Sequence, residues 1–225
     1  MKILIQLLGW LLPLSWRKKL YAKAFGWKFG PGARIGRSLL LCRDLTMGED
    51  AGIGDFNIVR RIDALTIGDH SGFCHLNWIT GFATFPTGNK ITFEHIKDRK
   101  CEIVLGQHTA ITSRHFIDCT GGIKVGSFTT IGGVRSQILT HSIDPYESRQ
   151  TCKPITIGDY CFIGTGSILL PGSSLPNYSI LGGGSVLTRK QEQEYALYAG
   201  NPACVKKDLS QCEVKYFKRL VGFVS

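Results

Sequence analysis

Histidine is the side chain best suited to exchange protons near neutral pH, because its ordinary pKa lies near 6.5. The chain carries six histidines. His141 stands where a six-residue rhythm of the sequence stops, at the start of an irregular segment, and such excursions usually carry function. We therefore take His141 as the candidate general base. Asp144 or Asp118 is expected to orient its ring; the spacing does not decide between them, and Asp144 is carried forward as the catalytic partner.

The remaining histidines favour other roles. His115 follows Ile111 by four residues, an inward position at which a buried, hydrogen-bonded core histidine is favoured. Contact with an acceptor substrate is the alternative, and His115 and Asn77 are carried forward as candidate substrate-binding residues. His70 and His75 are five residues apart, but no third ligand is evident, so no metal is expected.

A large aliphatic residue recurs at every sixth position near the end of the chain: Ile157, Ile163, Leu169, Leu175, Leu181 and Leu187. Small residues follow the first five of these by four positions: Cys161, Ser167, Ser173, Ser179 and Ser185. A period of six fits neither a helix nor a simple strand. It predicts a coil with flat sides of about six residues, whose aliphatics point inward and whose turns stack about 4.8 Å apart.

The rhythm appears earlier in less regular form, beginning at Ile35-Gly36, and spans about six coils over residues 33–190. Residues 81–100 and 139–156 break it and are interpreted as excursions. The predicted organisation is an N-terminal helical segment at 1–32, a β-helix domain at 33–190 and a C-terminal helical tail at 191–225.

The N-terminal segment is apolar from Ile3 to Trp16, and three basic residues follow it. A bilayer span needs about 20 apolar residues, so this run is too short to cross a membrane. Two interpretations stay open: a helix lying in the membrane interface, which would give peripheral membrane contact, and a helical cap over the end of the core.

The composition indicates which binding partners and which cellular compartment to expect. The formal net charge is +10 and the sequence pI is about 9.3. This charge favours anionic partners. Nucleic acid is not expected, because no recognition module or interleaving of aromatic and basic residues is present. The eight cysteines contain no CxxC pair. They indicate reduced thiols and a cytoplasmic protein.

Three segments carry a resemblance to a known family: THSIDP at 140–145, PITIGDYCFIGTGSILLPG at 154–172 and YAGNPAC at 198–204. With the repeat, they resemble the hexapeptide-repeat acyltransferase superfamily, and within it sugar O-acetyltransferases of the polysaccharide-biosynthesis, nodulation-factor and maltose or galactoside type. The resemblance implies an all-β, left-handed parallel β-helix that forms a homotrimer with active sites between neighbouring prisms. His141 matches the family's catalytic histidine.

The activity that this resemblance implies is direct transfer of an acetyl group from acetyl-CoA to a hydroxyl of a sugar or glycan. N-acylation of an amino-sugar nucleotide and a non-catalytic scaffold are the alternatives. The glycines of the C-terminal coils would leave backbone exposed to a pantetheine arm, or they only form the corners of the coils. The basic residues near the end of the coils, Arg189, Lys190, Lys206 and Lys207, would hold the CoA phosphates, or they form a solvated tail. The candidate cofactor-binding residues are Gly164, Thr165, Gly166, Gly183, Gly184, Arg189, Asn201 and Lys206.

Overall fold

The computed structural model describes residues 1–84 and 91–222 and shows a parallel β-helix with three faces. The strands of the first face are Lys28–Phe29, Asp44–Met47, Ala64–Ile67, Glu102–Leu105, Ile123–Val125, Ile155–Ile157 and Ser174–Leu175. Those of the second are Arg34–Ile35, Gly52–Ile53, Gly72–Phe73, Ala110–Ile111, Thr130–Ile131, Phe162–Ile163, Ile180–Leu181, Ala196–Ala199 and Cys204–Asp208. Those of the third are Leu39–Leu41, Ile58–Arg60, Trp78–Thr80, Phe116–Asp118, Gln137–Leu139, Ile168–Leu169 and Val186–Leu187.

The six-residue rhythm produces this fold through inward-pointing aliphatics. Ile157, Ile163 and Leu169 occupy the three faces of one coil, and each pairs in register with the equivalent residue of the next coil. All six aliphatics of the regular series are at most 1% exposed. Each such burial stabilises the fold by about 1.5–3 kcal/mol. The predicted left-handed β-helix is confirmed, with seven coils that begin at Lys28 rather than about six that begin at 33.

Small and polar residues fill the inner corner between the second and third faces. The stack consists of Ser38, Asn57, Asn77, His115, Ser136, Ser167 and Ser185, and each is at most 2% exposed. Asn77 shows how the stack is satisfied: its amide donates to Asn57 Oδ1 at 3.0 Å and to the Thr112 carbonyl at 2.8 Å. Buried polar groups of this kind stabilise only when they are hydrogen-bonded.

Two helices, α1 (Lys2–Gly9) and α2 (Leu14–Phe25), close the open end of the first coil. Gln6 is fully buried; its amide donates to the Leu40 carbonyl at 2.9 Å and accepts from the Leu40 N–H at 2.8 Å. Arg17 donates to the Ile35 carbonyl at 2.9 Å. These bonds satisfy backbone groups that a further coil would otherwise pair. The helical cap is therefore confirmed.

The opposite surface of the two helices is apolar and exposed. Its large side chains are Ile3, Leu4, Leu7, Leu8, Leu11, Leu14 and Trp16, each at least 37% exposed. Within residues 1–84 and 91–222, no helix is long and apolar enough to cross a membrane. The cap thus covers the core with one surface and leaves the other without a partner in the single chain.

The C-terminal segment differs from the predicted helical tail. Ala196–Ala199 extends the second face, and Cys204–Asp208 folds back against it in an antiparallel pair. The helical content described after it is one 3₁₀ turn, Lys215–Lys218. Tyr216 donates its hydroxyl to the Cys161 carbonyl at 2.9 Å, so this turn lies across the second face. Strand pairing with the last coil replaces the expected helix because that coil offers unpaired backbone groups.

Candidate active site

His141 lies at the edge where the chain passes from the third face to the first. Strand Gln137–Leu139 ends the third face of its coil, and His141 begins a two-stranded hairpin, His141–Asp144 with Arg149–Cys152, that leaves the prism. The chain returns at Ile155, which pairs with Ile123 on the first face. We call this corner, residues 119–122, 140–141, 170–173 and 188–190, the histidine edge.

Asp118 holds the ring of His141. Asp118 Oδ2 lies 2.7 Å from His141 Nδ1, and their side chains are 2% and 31% exposed. At this distance the ring N–H and the carboxylate form a short, bent, charge-assisted hydrogen bond. The carboxylate itself is fixed: it accepts the hydroxyls of Thr120 at 2.6 Å and Thr140 at 3.0 Å, and the His141 N–H at 3.1 Å.

This pair shifts both pKa values in directions that suit proton transfer. The contact with Asp118 raises the pKa of His141 above 6.5, against the opposing effect of partial burial. Burial would raise the pKa of Asp118, but its bonds with His141 and Thr120 outweigh burial and lower it. Asp118 is therefore an anion that keeps a proton on Nδ1, and Nε2 of His141 is left as the basic nitrogen.

The first excursion returns to cover the imidazole. The ring of Phe82 meets His141 edge-on at 5.5 Å between centroids, and the ring of Phe93 does so at 6.4 Å. Arg99 donates to the Phe82 carbonyl and, at 3.1 Å, to the Thr120 carbonyl, while its guanidinium lies 4.8 Å from the Phe93 ring. The two excursions predicted from the sequence thus meet at His141, and the rings shield it from water on one side.

Asp144 has a different place from the one expected of a catalytic partner. Its Oδ1 accepts the N–H groups of Tyr146 at 3.0 Å and Glu147 at 3.2 Å, which closes the turn of the hairpin. An Asp side chain commonly caps a turn two residues ahead in this way. The partner of His141 in the structure is Asp118, the alternative that the sequence left open.

The structure also places both candidate substrate-binding residues inside the prism. His115 is 2% exposed and Asn77 is 1% exposed. His115 Nε2 lies 2.9 Å from the Thr112 hydroxyl, and its Nδ1 accepts the Ser136 N–H at 3.1 Å. Burial lowers the pKa of His115 to about 4, so it is a neutral core residue. The inner-corner stack holds both side chains away from the outer surface of the prism, on which an acceptor would bind.

The predicted donor glycines gather on another edge, between the second and third faces. We call it the glycine edge: residues 132–134, 164–166, 182–184 and 200. Gly166 and Gly184 adopt φ values of +66° and +69°, and open space lies where a Cβ would stand on either. The N–H groups of Thr165 and Gly183 have no acceptor within the described part of the chain. The edge therefore presents bare backbone with hydrogen-bond donors one coil apart.

Two of the remaining donor candidates extend this edge and one does not. Asn201 follows Gly200, whose carbonyl accepts the Val186 N–H at 2.9 Å, so the turn stacks on the last coil. Lys206 Nζ lies 4.0 Å from where a Cβ on Gly200 would stand. Arg189 is exposed on the histidine edge, two coils beyond His141. In one chain His141 and the glycine edge are separated by the third face, roughly 20 Å for about six extended residues.

No metal centre accompanies the site. Residues 1–84 and 91–222 contain no group of three or more His, Cys, Asp or Glu side chains able to hold an ion. His70 instead stacks on His108 at 4.8 Å between ring centroids. His75 Nδ1 accepts the Asp55 N–H at 2.9 Å, so the two histidines whose spacing was weighed for metal binding have separate structural contacts.

The fold is a left-handed parallel β-helix built from six-residue repeats. Among solved structures, the chain is similar to a mutant of AntD, an N-acyltransferase from Bacillus cereus, with a TM-score of 0.58, 13% identity and coverage of 87% of this chain and 90% of the other. The polysialic acid O-acetyltransferase OatWY gives a TM-score of 0.54, 17% identity and coverage of 81% and 88%. At these identities the likeness establishes the fold.

Sequence relatives are local matches. A dTDP-3-amino-3,6-dideoxy-alpha-D-galactopyranose 3-N-acetyltransferase of Aneurinibacillus thermoaerophilus is 42% identical over 53 residues, 24% of this chain and 27% of that protein. The chain spans between 27% and 38% of the length of the curated relatives it matches. No family model matches the chain.

Phe82, Phe93 and Arg99 were missed by the sequence analysis. They belong to the excursion at 81–100, which has no register from which their direction can be read. Asp118 carried a usable signal, because it precedes Leu139 by one coil and pairs with it in the third face. A residue one coil before His141 is a natural neighbour of it.

Proposed function

We propose that this chain transfers an acetyl group from acetyl-CoA to a hydroxyl of a sugar or glycan, with His141 as the general base. The observation that carries the proposal is the buried Asp118 carboxylate 2.7 Å from Nδ1 of a half-buried histidine at the prism edge. A scaffold without catalytic function would not need a buried anion, whose desolvation is costly. Proteins of similar fold include acyltransferases that act on sugars, and this supports a sugar as the acceptor.

The chemistry follows from the state of the pair. Nε2 of His141 takes the proton from the acceptor hydroxyl while the hydroxyl oxygen forms a bond to the thioester carbonyl carbon. Asp118 stabilises the positive charge that His141 gains in this step. When the carbon–sulfur bond breaks, His141 returns the proton to the departing thiolate, so the enzyme ends as it began. The rings of Phe82 and Phe93 exclude water, which would otherwise compete as acceptor.

The glycine edge fits the donor. Thr165 and Gly183 offer N–H groups about 4.8 Å apart, the spacing of neighbouring strands, to the amide carbonyls of a pantetheine arm. Gly166 and Gly184 leave room for that arm, since no atom lies within 4 Å of their missing Cβ positions. Lys206 near the top of the edge supplies positive charge for the CoA phosphates. Asn201 lies in the turn that closes this end.

The separation of base and donor edge is the reason for proposing a homotrimer. His141 and Gly166 lie on opposite borders of the third face. One active site is completed when the glycine edge of one copy lies against the histidine edge of the next. Such a head-to-tail contact uses two different surfaces and closes into a ring. Three copies of a three-sided prism close it, and Arg189 then lines the same groove as the neighbour's donor edge.

A second acceptor chemistry has a specific observation in its favour. The AntD structure similar to this chain contains dTDP-4-amino-4,6-dideoxyglucose and Coenzyme A. An amino sugar attached to a nucleotide is therefore the alternative acceptor, with His141 taking the proton from its amine. The products separate the two, because an O-acetyl ester is cleaved by mild alkali and an N-acetyl amide is not.

The apolar surface of α1 and α2 supports a peripheral position at a membrane. Leu11 is 82% exposed and Trp16 is 67% exposed, and Lys18 and Lys19 lie two and three residues after Trp16. Apolar side chains flanked by cations are typical of helices that lie in an anionic membrane interface. We propose that the chain works in the cytoplasm, at the inner face of the membrane, on a glycan made there.

The test is release of CoA from acetyl-CoA with a panel of sugars, amino sugars and their nucleotides, combined with mass spectrometry of the acceptor. We expect acetylated product with at least one sugar and none when His141→Ala replaces the wild-type chain. Retained folding, self-association and acetyl-CoA binding in His141→Ala would show that only the chemistry is lost. Equal product from both chains would refute the proposed base.

A further inference from the structure

A cavity of 750 Å³ opens on the outer side of the third face beside α1. Its described lining carries five cationic side chains and no carboxylate; the cations are Lys2, Arg43, Arg60, Arg61 and Arg99. Such an excess of one sign within a concave site concentrates anions. The cavity lies on the early coils of the third face, and none of the glycine-edge residues lines it.

Several of these cations have partners, and two do not. Arg43 pairs with Asp44 at 2.8 Å, and Lys2 donates to the Cys42 carbonyl at 2.5 Å. Within residues 1–84 and 91–222, no hydrogen bond or ion pair engages the guanidinium of Arg60 or Arg61. Arg61 has φ +55°, and this left-handed turn lets two consecutive side chains line one cavity. Side chains of consecutive strand residues would otherwise point to opposite sides.

The cavity shares a wall with the catalytic histidine. Phe82 and Phe93 line it, and both rings contact His141 edge-on at 5.5 and 6.4 Å. Along the third face Arg60 pairs with Thr80, Thr80 pairs with Asp118, and Asp118 pairs with Leu139. Arg60 therefore lies three coils before the coil that carries His141. At 4.8 Å a coil this is about 14 Å, the scale of an extended glycosyl diphosphate.

We propose that this cavity binds the diphosphate of a glycosyl diphosphate acceptor and directs its sugar to His141. The inference rests on the proposed function, whose acceptor class it makes specific. Arg60 and Arg61 donate to the diphosphate oxygens, which carry more charge than the single carboxylate of an acidic sugar. Trp78, 43% exposed on the same face, offers its ring to the sugar. Two sources supply this chemistry: a nucleoside diphosphate sugar and a sugar linked to a lipid diphosphate.

The first experiment measures binding of inorganic pyrophosphate by titration calorimetry. We expect Arg60→Gln and Arg61→Gln each to weaken binding about tenfold or more, the usual scale for one charge-assisted contact. Arg34→Gln is the matched control, since Arg34 is an exposed arginine on the second face of the first coil. Pyrophosphate binding that is absent, or equal in all four chains, would overturn the proposal.

The second experiment measures acetyl transfer to three forms of one sugar: unphosphorylated, linked to a nucleoside diphosphate, and linked to a polyprenyl diphosphate in detergent micelles. We expect a KM at least tenfold lower for a diphosphate form, an advantage lost in Arg60→Gln and kept in Arg34→Gln. The preferred diphosphate form identifies the source. An equal KM for the unphosphorylated sugar would refute the proposal that the cavity binds the diphosphate of the acceptor. Arginine-dependent pyrophosphate binding without any transfer would support the cavity and refute the transferase.

Discussion

Replacing Asp118 with Asn removes the negative charge beside His141 and keeps nearly all of the shape. Oδ2 accepts the Thr140 hydroxyl at 3.0 Å and the His141 N–H at 3.1 Å, so the carboxamide will place its oxygen there rather than its NH₂. The NH₂ group then faces the Thr120 hydroxyl, which can accept. Nδ1 of His141 keeps an acceptor, and the ring keeps the tautomer that leaves Nε2 basic. Asp118→Ala would instead leave these buried donors without a partner.

The expected loss is therefore electrostatic. A hydrogen bond to a charged group contributes about 1.5–3 kcal/mol, against about 1 kcal/mol for a neutral one. The charge on Asp118 stabilises the protonated His141 of the transition state by the difference, about 0.5–2 kcal/mol. We expect kcat/KM of Asp118→Asn to fall about 2- to 30-fold, since each 1.36 kcal/mol is a factor of ten.

The pH profile separates this explanation from a structural one. The active form has a neutral His141, so kcat/KM rises with pH through its pKa, which Asp118 holds above 6.5. In Asp118→Asn the midpoint should move to lower pH, because the protonated imidazole loses its anion. Asp144→Asn is the control, since Asp144 caps only the hairpin turn. A wild-type rate and an unmoved midpoint in Asp118→Asn would refute the assigned partner.

Three further outcomes test other parts of the structure. Co-expression of His141→Ala with Gly166→Asp should restore activity at about one quarter of the sites if base and donor edge belong to different copies, and none if they share a chain. Trp16→Glu should abolish sedimentation with anionic vesicles without changing Tm. The control Tyr146→Glu should still sediment, since Tyr146 is an exposed aromatic residue (97% against 67% for Trp16) that lies outside the helices; binding by both variants would exclude the helical surface as the membrane contact. Because burial lowers the pKa of His115 to about 4, its stabilisation is complete above pH 6.5 and is lost as the pH falls toward 4. Between these two pH values His115 makes the free energy of unfolding rise by about 1.4 kcal/mol per pH unit, and His115→Asn should remove this dependence. Unfolding curves whose pH dependence is the same in both chains would contradict the neutral core histidine.

The coils were predictable because their signal is local. Every sixth residue from Ile157 to Leu187 faces the core, and all are buried as expected. The total of seven coils was underestimated because the first begins at Lys28, seven residues before Ile35-Gly36, the first aliphatic-glycine pair of the rhythm. Corners of varying length shift the frame without changing the inward direction of each strand, so the early coils hide their period.

The candidate site was predictable only in part. His141 stood out because the rhythm stops there, but its partner lies 23 residues earlier, and the choice between Asp118 and Asp144 depends on how coils stack. His115 is the buried core residue that its corner position favoured, and Asn77, carried forward as a substrate-binding candidate, lies in the same buried stack. Their inward direction follows from the corner position, at which the same site is filled by Ser in other coils.

The features that sequence could not supply come from segments without a period. Phe82 and Phe93 reach His141 because residues 81–84 and 91–100 of the first excursion lie against the histidine edge; residues 85–90 lie outside the described part of the chain. Arg60 and Arg61 share a cavity only because Arg61 adopts a left-handed conformation at the corner. Such contacts join residues that are distant in sequence, and composition does not specify them.

The most direct test is the rate of acetyl transfer by His141→Gln at saturating acetyl-CoA, once an acceptor has been found for the wild-type chain. Glutamine can fill much of the space of the imidazole but cannot take a proton. Removal of a general base costs about 10²- to 10⁴-fold in rate. We expect a loss in that range with unchanged acetyl-CoA affinity and Tm. A rate within a few-fold of wild type would contradict the assignment of His141 as the base.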